Sequence, residues 1–219
     1  MFNTLRSPEV PPSLAARQKY DGNDVYTELC KIFHDKCYIC ETKEPHDINV
    51  ENFHPHKGDE TKKFDWNNLY LACSRCNNIK LAEFDDIIDC CDTAIDVSRA
   101  IKHIPPTTPY AKTVQLVSMS DEAKIELSTR LLDRVYNSDH TVNKKVSGAF
   151  LRRKVFDQYN LLLDQINSYY NPVATDDEKT LSLERMRKLI HGSAPYSAFI
   201  RWCILDDNEL SDLLVDFMD

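Results

Sequence analysis

The sequence is short of glycine and contains no long apolar run. Only 4 of its 219 residues are glycine, which disfavours sandwich and barrel folds and is typical of a helix-rich protein. No segment approaches the roughly 20 apolar residues that cross a bilayer, and the first residues lack the apolar core of a signal peptide. These absences predict a cytoplasmic protein without a membrane partner.

Net positive charge is also missing. The formal net charge is −8, whereas proteins that bind nucleic acid through bulk electrostatics are basic. The acidic residues are unevenly spread, with clusters at 85–89, at 176–178 and over 206–219, and the segments 57–63 and 144–154 are locally basic. The charge therefore argues against a non-specific DNA coat and leaves room for a local active-site groove.

Cysteine, in contrast, is plentiful, with eight residues. In a cytoplasmic chain such cysteines are more often metal ligands or buried apolar residues than disulfides. Four form two C-x-x-C pairs, and four thiolates suit a closed, tetrahedral and structural Zn²⁺ site. These four are Cys37, Cys40, Cys73 and Cys76. The others lie in apolar-periodic stretches, which predicts core packing. They are Cys30, Cys90, Cys91 and Cys203.

The pattern of apolar residues predicts a mainly α protein with a small α+β part, divided into three segments. Residues 1–35 form an extended arm that ends in a helix over 24–33. Residues 36–102 contain the metal motif, followed by a helix predicted from 81 to 101. Residues 103–219 form a helical domain, which we expect to dock a partner.

Within the last segment the spacing predicts a short strand and several helices. Residues 113–117 are the strand or an extended connector. Ser120 is the expected N-cap of the first helix, since acidic residues follow it in the first turn. Amphipathic patterns predict further helices over 144–170, 175–190 and 194–217.

A dense polar motif lies between and just after the C-x-x-C pairs. It contains Val50-Glu51-Asn52-Phe53-His54-Pro55-His56, then Asp65-Trp66-Asn67-Asn68-Leu69, and Asn77-Asn78-Ile79-Lys80 after the second pair. In this order the chain resembles the HNH nucleases over about residues 36–82. Their pattern is a strand ending in acid-His, a loop, an Asn-Leu segment and a C-x-x-C-N-x-x-K sequence opening a helix. The resemblance implies a zinc-stapled ββα-metal core.

The resemblance also implies roles for individual residues. Glu51 and Asn77 take the positions of the ligands for a catalytic Mg²⁺ or Mn²⁺, and both supply oxygen, as a hard cation prefers. Asn68 takes the position of the middle Asn, which fixes the loop and orients the general base. Lys80 is expected to start the helix and to reach a phosphate.

One position departs from the family pattern. Where the family has its general-base His, directly after the acid, this chain has Asn52, and an amide cannot act as a base near neutral pH. Three alternatives follow: the chain is an inactivated variant that keeps its fold, His54 or His56 supplies the base, or the chain is a binding-only module. Strand alternation places both histidines on the side of Asn52, with His54 about 6.5–7 Å further along.

Blocks outside the motif resemble PtuB, the HNH subunit of the Septu anti-phage systems, some of which are attached to retrons. They are the segments 20–26, 33–38, 131–137 and 193–202. The resemblance implies an SMC-like ATPase partner (PtuA), a DNA or tRNA substrate, and an association with a retron reverse transcriptase and its msDNA. A basic cluster faces substrate, an acidic partner surface or solvent. It comprises Lys144, Lys145, Arg152, Arg153 and Lys154.

Three functional hypotheses follow from the sequence. The first is a partner-controlled HNH endonuclease of a defence complex. The second is a catalytically silent, zinc-stabilised interaction subunit. The third is a zinc ribbon without an ion site, which leaves the array of Glu51, Asn68 and Asn77 unexplained.

Overall fold

The computed structural model describes residues 1–139 and 146–218. About half of the described chain is helical, and the strands form two small antiparallel sheets. The prediction of a mainly α fold with a small α+β part is therefore confirmed. None of the described helices combines the length and the apolar character that crossing a membrane requires.

The helices and strands follow one another in a simple order along the chain. The helices are α1 (Pro12–Ala15), α2 (Asn23–Ile32), α3 (Glu60–Lys63), α4 (Ser74–Lys80), α5 (Val97–Ala100), α6 (Ala123–Asn137), α7 (Gly148–Tyr169), α8 (Asp176–Ile190), α9 (Ser197–Leu205) and α10 (Asn208–Leu214). The strands are β1 (Ile48–Asn52), β2 (Leu69–Cys73), β3 (Ile101–Ile104) and β4 (Gln115–Ser118). Single 3₁₀ turns cover Trp66–Asn68, Leu81–Phe84 and Val215–Phe217.

The first sheet and the helix after it form a ββα unit. β1 pairs antiparallel with β2, from Ile48 opposite Cys73 to Asn52 opposite Leu69, and α4 begins directly after β2. β2 is buried at every position, whereas Glu51 is the only buried residue of β1. The unit therefore carries one buried carboxylate on an otherwise partly exposed strand.

Two apolar clusters stabilise the described chain. The larger one draws on residues from 1 to 155, with Tyr196 and Phe199 added, so the predicted arm, the metal motif and α6 share one core. The smaller one is formed by aliphatic residues of α7 to α10. Its buried members are Leu162, Met186, Ile190, Ile200, Ile204, Leu210 and Leu214.

The long helix predicted from 81 to 101 is wrong. The chain instead makes a 3₁₀ turn over Leu81–Phe84, runs irregularly and forms only the four-residue α5 before β3 begins. The cause is local: the carboxylates of Asp89 and Asp92 each accept the backbone N–H two residues further on, at 2.7 and 2.9 Å. Such bonds compete with the helical ladder.

Most other predicted helices are confirmed, with shifted ends. The helices predicted over 24–33 and 175–190 are α2 and α8. α7 runs from 148 to 169, and the first residues predicted for it lie outside the described part. Ser120 is not the N-cap of α6, because that helix begins at Ala123 with Glu122 as its N-cap and no capping side chain.

Candidate functional site

Both C-x-x-C pairs are brought together by the ββα unit. Cys37 and Cys40 lie in the turn after α2, Cys73 ends β2, and Cys76 lies in the first turn of α4. The four sulfur atoms lie within 4.8 Å of one another, and all four residues are buried and free of disulfides. Cys40 Sγ and Cys73 Sγ are 3.8 Å apart, and sulfurs at 2.3 Å from a tetrahedral Zn²⁺ are separated by about 3.8 Å. The cluster is thus compatible with a structural zinc site.

A buried arginine lies beside this four-thiol cluster. Arg75 lies between the two cysteines of its own pair and is 1% exposed. Its Nη2 donates to the carbonyl oxygens of Val135 and Ser138, at 2.9 and 3.0 Å, at the C-terminal end of α6. The guanidinium therefore stabilises the carboxyl end of a helix, and it would also offset the net negative charge of four thiolates around a divalent ion.

Hydrogen bonds tie the first C-x-x-C pair to the helical part of the chain. The hydroxyl of Tyr136, on α6, donates to the carbonyl oxygen of Cys40 at 2.7 Å. The Thr42 and Tyr196 hydroxyls are 3.0 Å apart. The four-thiol cluster therefore anchors α6 and the start of α9 as well as the ββα unit.

A buried ion network lies beside the same turn. Lys36 Nζ contacts Glu41 Oε2 at 3.2 Å and donates to the carbonyl oxygen of Ala194 at 3.0 Å. The amino group of Met1 lies 3.0 Å from the other oxygen of Glu41. Burial alone would raise the pKa of Glu41, but the two ammonium groups hold it well below its ordinary value. The Glu41 carboxylate is therefore charged at neutral pH.

Glu51 is the buried carboxylate of the ββα unit. It lies opposite Tyr70 in the sheet and is 5% exposed. Its Oε1 is 3.8 Å from Lys80 Nζ, and the buried hydroxyl of Tyr38 interacts with the same carboxylate. Burial raises the pKa of Glu51 to about 7, against the opposing effects of Lys80 and Tyr38. A buried carboxylate whose ammonium partner lies 3.8 Å away is an arrangement that a cation would stabilise.

Lys80 differs from its predicted role. It ends α4 rather than starting it, is 2% exposed, and donates through Nζ to the carbonyl oxygen of Phe53 at 2.6 Å. It therefore acts inside the molecule, where it joins the end of α4 to the residue after β1, and does not present a free ammonium group to a phosphate.

Asn68 fixes the loop between the two strands. Its Oδ1 accepts the backbone N–H of His54 at 2.7 Å, and its Nδ2 donates to the carbonyl oxygens of His54 and Lys62, both at 2.9 Å. Asn68 is buried, so these bonds are shielded from water. One side chain thereby sets the path of the loop on which the candidate histidines lie.

Asn52 is the last residue of β1, and its side chain faces α3. Its Nδ2 donates to the carbonyl oxygens of Lys62 and Lys63, at 3.3 and 3.4 Å. The amide thus holds α3 against the strand. In these contacts the Asn52 side chain acts as a hydrogen-bond donor, and its amide has no group that could accept a proton from water.

The strand alternation used to place His54 and His56 does not extend to them, because β1 ends at Asn52. His54 instead lies with its Nδ1 3.0 Å from Asp85 Oδ1. Both side chains are about half exposed. The pair leaves the other imidazole nitrogen of His54 facing away from the carboxylate.

His56 has a local partner. Its Nδ1 accepts the backbone N–H of Gly58 at 3.1 Å, within a turn in which Lys57 and Gly58 have positive φ. In the neutral imidazole this bond places the proton on Nε2. His56 therefore stabilises the turn, whereas His54 has a carboxylate partner.

Asn77, the second predicted ion ligand, is exposed on α4. Lys80, three residues further along α4, is buried and contacts Glu51. The role of Asn77 as an ion ligand therefore stays a prediction.

The predicted basic cluster separates into parts. Arg152 is buried. It donates to the carbonyl oxygen of Tyr136, near the end of α6, at 2.6 Å and to that of Ala111, between β3 and β4, at 2.9 Å. Arg153 and Lys154 are about half exposed and face a carboxylate on their own helix. The predicted members Lys144 and Lys145 lie outside the described residues.

Sequence reasoning missed several residues of this region. Asp85 was predicted only as part of an acidic, helical stretch, and no spacing rule links it to His54. Arg75 and Lys36 lie next to metal-motif cysteines, yet only the three-dimensional contacts reveal that they are buried with partners far along the chain.

No protein-family model matches the sequence, and no curated protein matches it either.

Proposed function

We propose that the chain is an HNH-type, metal-dependent endonuclease subunit that hydrolyses phosphodiester bonds of nucleic acid. One observation carries the proposal: a ββα unit buries the carboxylate of Glu51, whose ammonium partner, Lys80, lies 3.8 Å away. The four-thiol cluster and the loop pinned by Asn68 accompany it in the order that the sequence resemblance implies.

Glu51 and Asn77 are the proposed ligands of the catalytic ion. Both are oxygen donors, and Lys80 compensates the charge of Glu51 in the absence of an ion. A bound Mg²⁺ or Mn²⁺ would stabilise the negative charge that develops on the phosphate and on the leaving oxygen. Asn68 contributes by holding the backbone of the loop beside this site.

His54 is the proposed general base, and Asp85 the residue that positions it. A carboxylate on one imidazole nitrogen orients the ring and leaves the other nitrogen to take a proton from water. The contact of 3.0 Å between His54 Nδ1 and Asp85 Oδ1 has this form. His56 is the weaker candidate, because its Nδ1 serves the turn at Gly58.

A catalytically inactive, zinc-stabilised interaction subunit is the second candidate function. The observation that favours it is Asn52, whose amide stands at the family's base position and is bonded to two carbonyl oxygens of α3. In that case the ββα unit would serve as a rigid docking module.

The proposal extends to partners through the sequence resemblance alone. It implies a complex with an SMC-like ATPase in an anti-phage defence system, with DNA or tRNA as substrate and, in retron-attached systems, a reverse transcriptase with its msDNA. The net charge of −8 accords with a nuclease that is brought to its substrate by a partner.

The proposal is tested by incubating the chain with plasmid DNA or total tRNA in Mg²⁺ or Mn²⁺, alone and with the ATPase. The variants are Asn52→His, His54→Ala, His56→Ala and Asp85→Asn, with His191→Ala as a control in the helical part. Cleavage that His54→Ala abolishes and that Asp85→Asn weakens by about 10-fold or more supports the assigned base.

Other outcomes separate the alternatives. Cleavage by the Asn52→His variant alone would identify Asn52 as a disabled base position. Cleavage that persists in His54→Ala would remove His54 from the mechanism without affecting the nuclease assignment. Absence of cleavage by every version, with the ATPase present, would favour the interaction subunit.

A further inference from the structure

A second group of thiols lies outside the four-thiol cluster. Asp89, Cys90 and Cys91 follow one another in the irregular segment between the 3₁₀ turn at 81–84 and α5. A carboxylate oxygen and both sulfur atoms lie within 4.8 Å of one another. Both cysteines are free, Cys90 is buried, and Cys91 is partly exposed. The sequence predicted only core packing for the two cysteines, and packing does not account for an adjacent carboxylate.

The carboxylate of Asp89 is held in place by its neighbours. Its Oδ1 accepts hydrogen bonds from the hydroxyl of Tyr70 and from the backbone N–H of Cys91, the latter at 2.7 Å. These bonds fix the carboxylate beside the two sulfurs. The three side chains therefore form a set of two possible sulfur ligands and one possible oxygen ligand.

A fixed arginine lies next to this set. Arg6 donates to the carbonyl oxygens of Trp66 and Leu69, at 2.9 and 3.0 Å, and its guanidinium carbon lies 4.7 Å from the centre of the Tyr70 ring. Its Nη2 is 3.7 Å from Cys91 Sγ. Arg6 therefore places a guanidinium group beside these thiols, as Arg75 does beside the four-thiol cluster.

The arginine suits a metal complex of this composition. Two thiolates and a carboxylate around a divalent ion carry net negative charge, which the neighbouring guanidinium stabilises.

We propose that Asp89, Cys90 and Cys91 form a second metal site, which takes a thiophilic divalent ion such as Zn²⁺. Sulfur ligands select this class over Mg²⁺. Three protein ligands leave one coordination position of a tetrahedral ion for water or an external ligand, on the side where Cys91 reaches solvent. The site is independent of the nuclease proposal, since it shares no ligand with Glu51 or Asn77.

Metal stoichiometry of the full chain tests the site. Protein saturated with Zn²⁺ or Cd²⁺ and freed of excess ion by gel filtration is expected to hold about two ions per chain. The variants Cys91→Ser and Asp89→Asn should hold about one. Cys203→Ser, a matched change at a partly exposed thiol outside both clusters, should keep two. A wild-type content of about one ion, unchanged in Cys91→Ser, would overturn the proposal.

A second measurement needs no variant. In protein that keeps one Zn²⁺ per chain at the four-thiol cluster, iodoacetamide labelling followed by peptide mapping should modify Cys91, and at least about 10-fold more slowly after Cd²⁺ is added. Cys30 is also partly exposed and belongs to neither cluster, so its labelling should stay constant. Equal labelling of Cys91 with and without Cd²⁺ would contradict a site at this position.

Discussion

The metal-motif region (residues 36–80) and the C-terminal cluster (the apolar core formed by α7 to α10) are stabilised in different ways. The metal-motif region buries many charged and polar side chains. They are Lys36, Glu41, Glu51, Asn68, Arg75 and Lys80. The core of the C-terminal cluster consists of aliphatic residues and one methionine. The helices α7 to α9 bury fewer polar or charged side chains, namely Arg152, Ser182, Ser197 and Arg201.

The difference has an energetic consequence. A buried charge costs free energy unless partners and hydrogen bonds compensate it, so the metal-motif region depends on contacts that form together. The C-terminal cluster is stabilised by apolar area removed from water, at about 25 cal/mol per Å². We therefore expect the two regions to respond differently to loss of metal, to cavities and to pH.

Removal of the four-thiol site should have the largest effect. Cys40→Ser, or chelation of zinc, is expected to unfold the metal-motif region, because structural zinc sites contribute roughly 10–16 kcal/mol in small domains. In hydrogen exchange, amides of β1, β2 and α4 should lose at least about 5 kcal/mol of protection. Amides in the middle of α8 should keep most of theirs.

The four-thiol site has a matched control in the C-terminal cluster. Cys203→Ser changes a thiol whose only described hydrogen bond is to a carbonyl of its own helix, so zinc content and β-strand protection should not change. Simultaneous loss of protection in the metal-motif region and in α8 after Cys40→Ser would show that the two regions unfold as one unit.

A cavity in the C-terminal cluster should have the next largest effect. Leu162 is fully buried there, so Leu162→Ala should lower the free energy of unfolding by about 2–5 kcal/mol, without loss of zinc. Its neighbour Leu161 is 47% exposed, and Leu161→Ala should change stability by less than about 0.5 kcal/mol. Denaturant titration with helix content as the signal measures both, and equal effects would contradict the described packing.

Replacement of Glu51 should make the metal-motif region less sensitive to pH. The pKa of Glu51 is raised from 4.5 to about 7 in the folded protein, so the folded state binds this proton more tightly than the unfolded state. Its contribution is therefore complete below about pH 4.5 and is lost as the pH rises through about 7. Glu51→Gln, which resembles the protonated form, should exceed wild type at pH 8 by on the order of 1–3 kcal/mol.

Measurement of this difference requires zinc-loaded protein without added Mg²⁺ or Mn²⁺, since a second cation beside Glu51 would favour its charged form. Glu60→Gln is the matched control, because Glu60 is 61% exposed. Unfolding free energies of Glu51→Gln and wild type that stay parallel from pH 5 to pH 8 would show that Glu51 is not buried as described.

The two regions also differ in what the sequence could predict. The C-x-x-C spacing predicted a four-thiol cluster, and the resemblance to the HNH nucleases implied a strand, a loop and a helix around it. These predictions rest on residues within one short segment. Asp85 and Arg6 lie outside that segment, and their contacts with His54 and Cys91 form only in the folded chain. The spacing of residues along the sequence does not predict such long-range contacts.

Helix predictions failed where side chains compete with the backbone. Apolar periodicity found α2, α7 and α8, since each buries one face. Between 81 and 101 the same periodicity is present, but the carboxylates of Asp89 and Asp92 bind nearby N–H groups and end the helical pattern. This segment, which was wrongly predicted to be helical, also carries the proposed second metal site.

Helix capping provides the smallest test of the comparison between sequence and structure. Thr175 forms a capping box on α8, in which its hydroxyl accepts the N–H of Glu178 and that carboxylate accepts the N–H of Thr175. Thr175→Ala should therefore cost about 1 kcal/mol. Ser120→Ala should cost less than about 0.5 kcal/mol, because α6 begins three residues later without a capping side chain. Thermal unfolding of the two variants decides the matter: equal losses would restore Ser120 as the start of α6 and would place the boundary before this helix where the sequence alone predicted it.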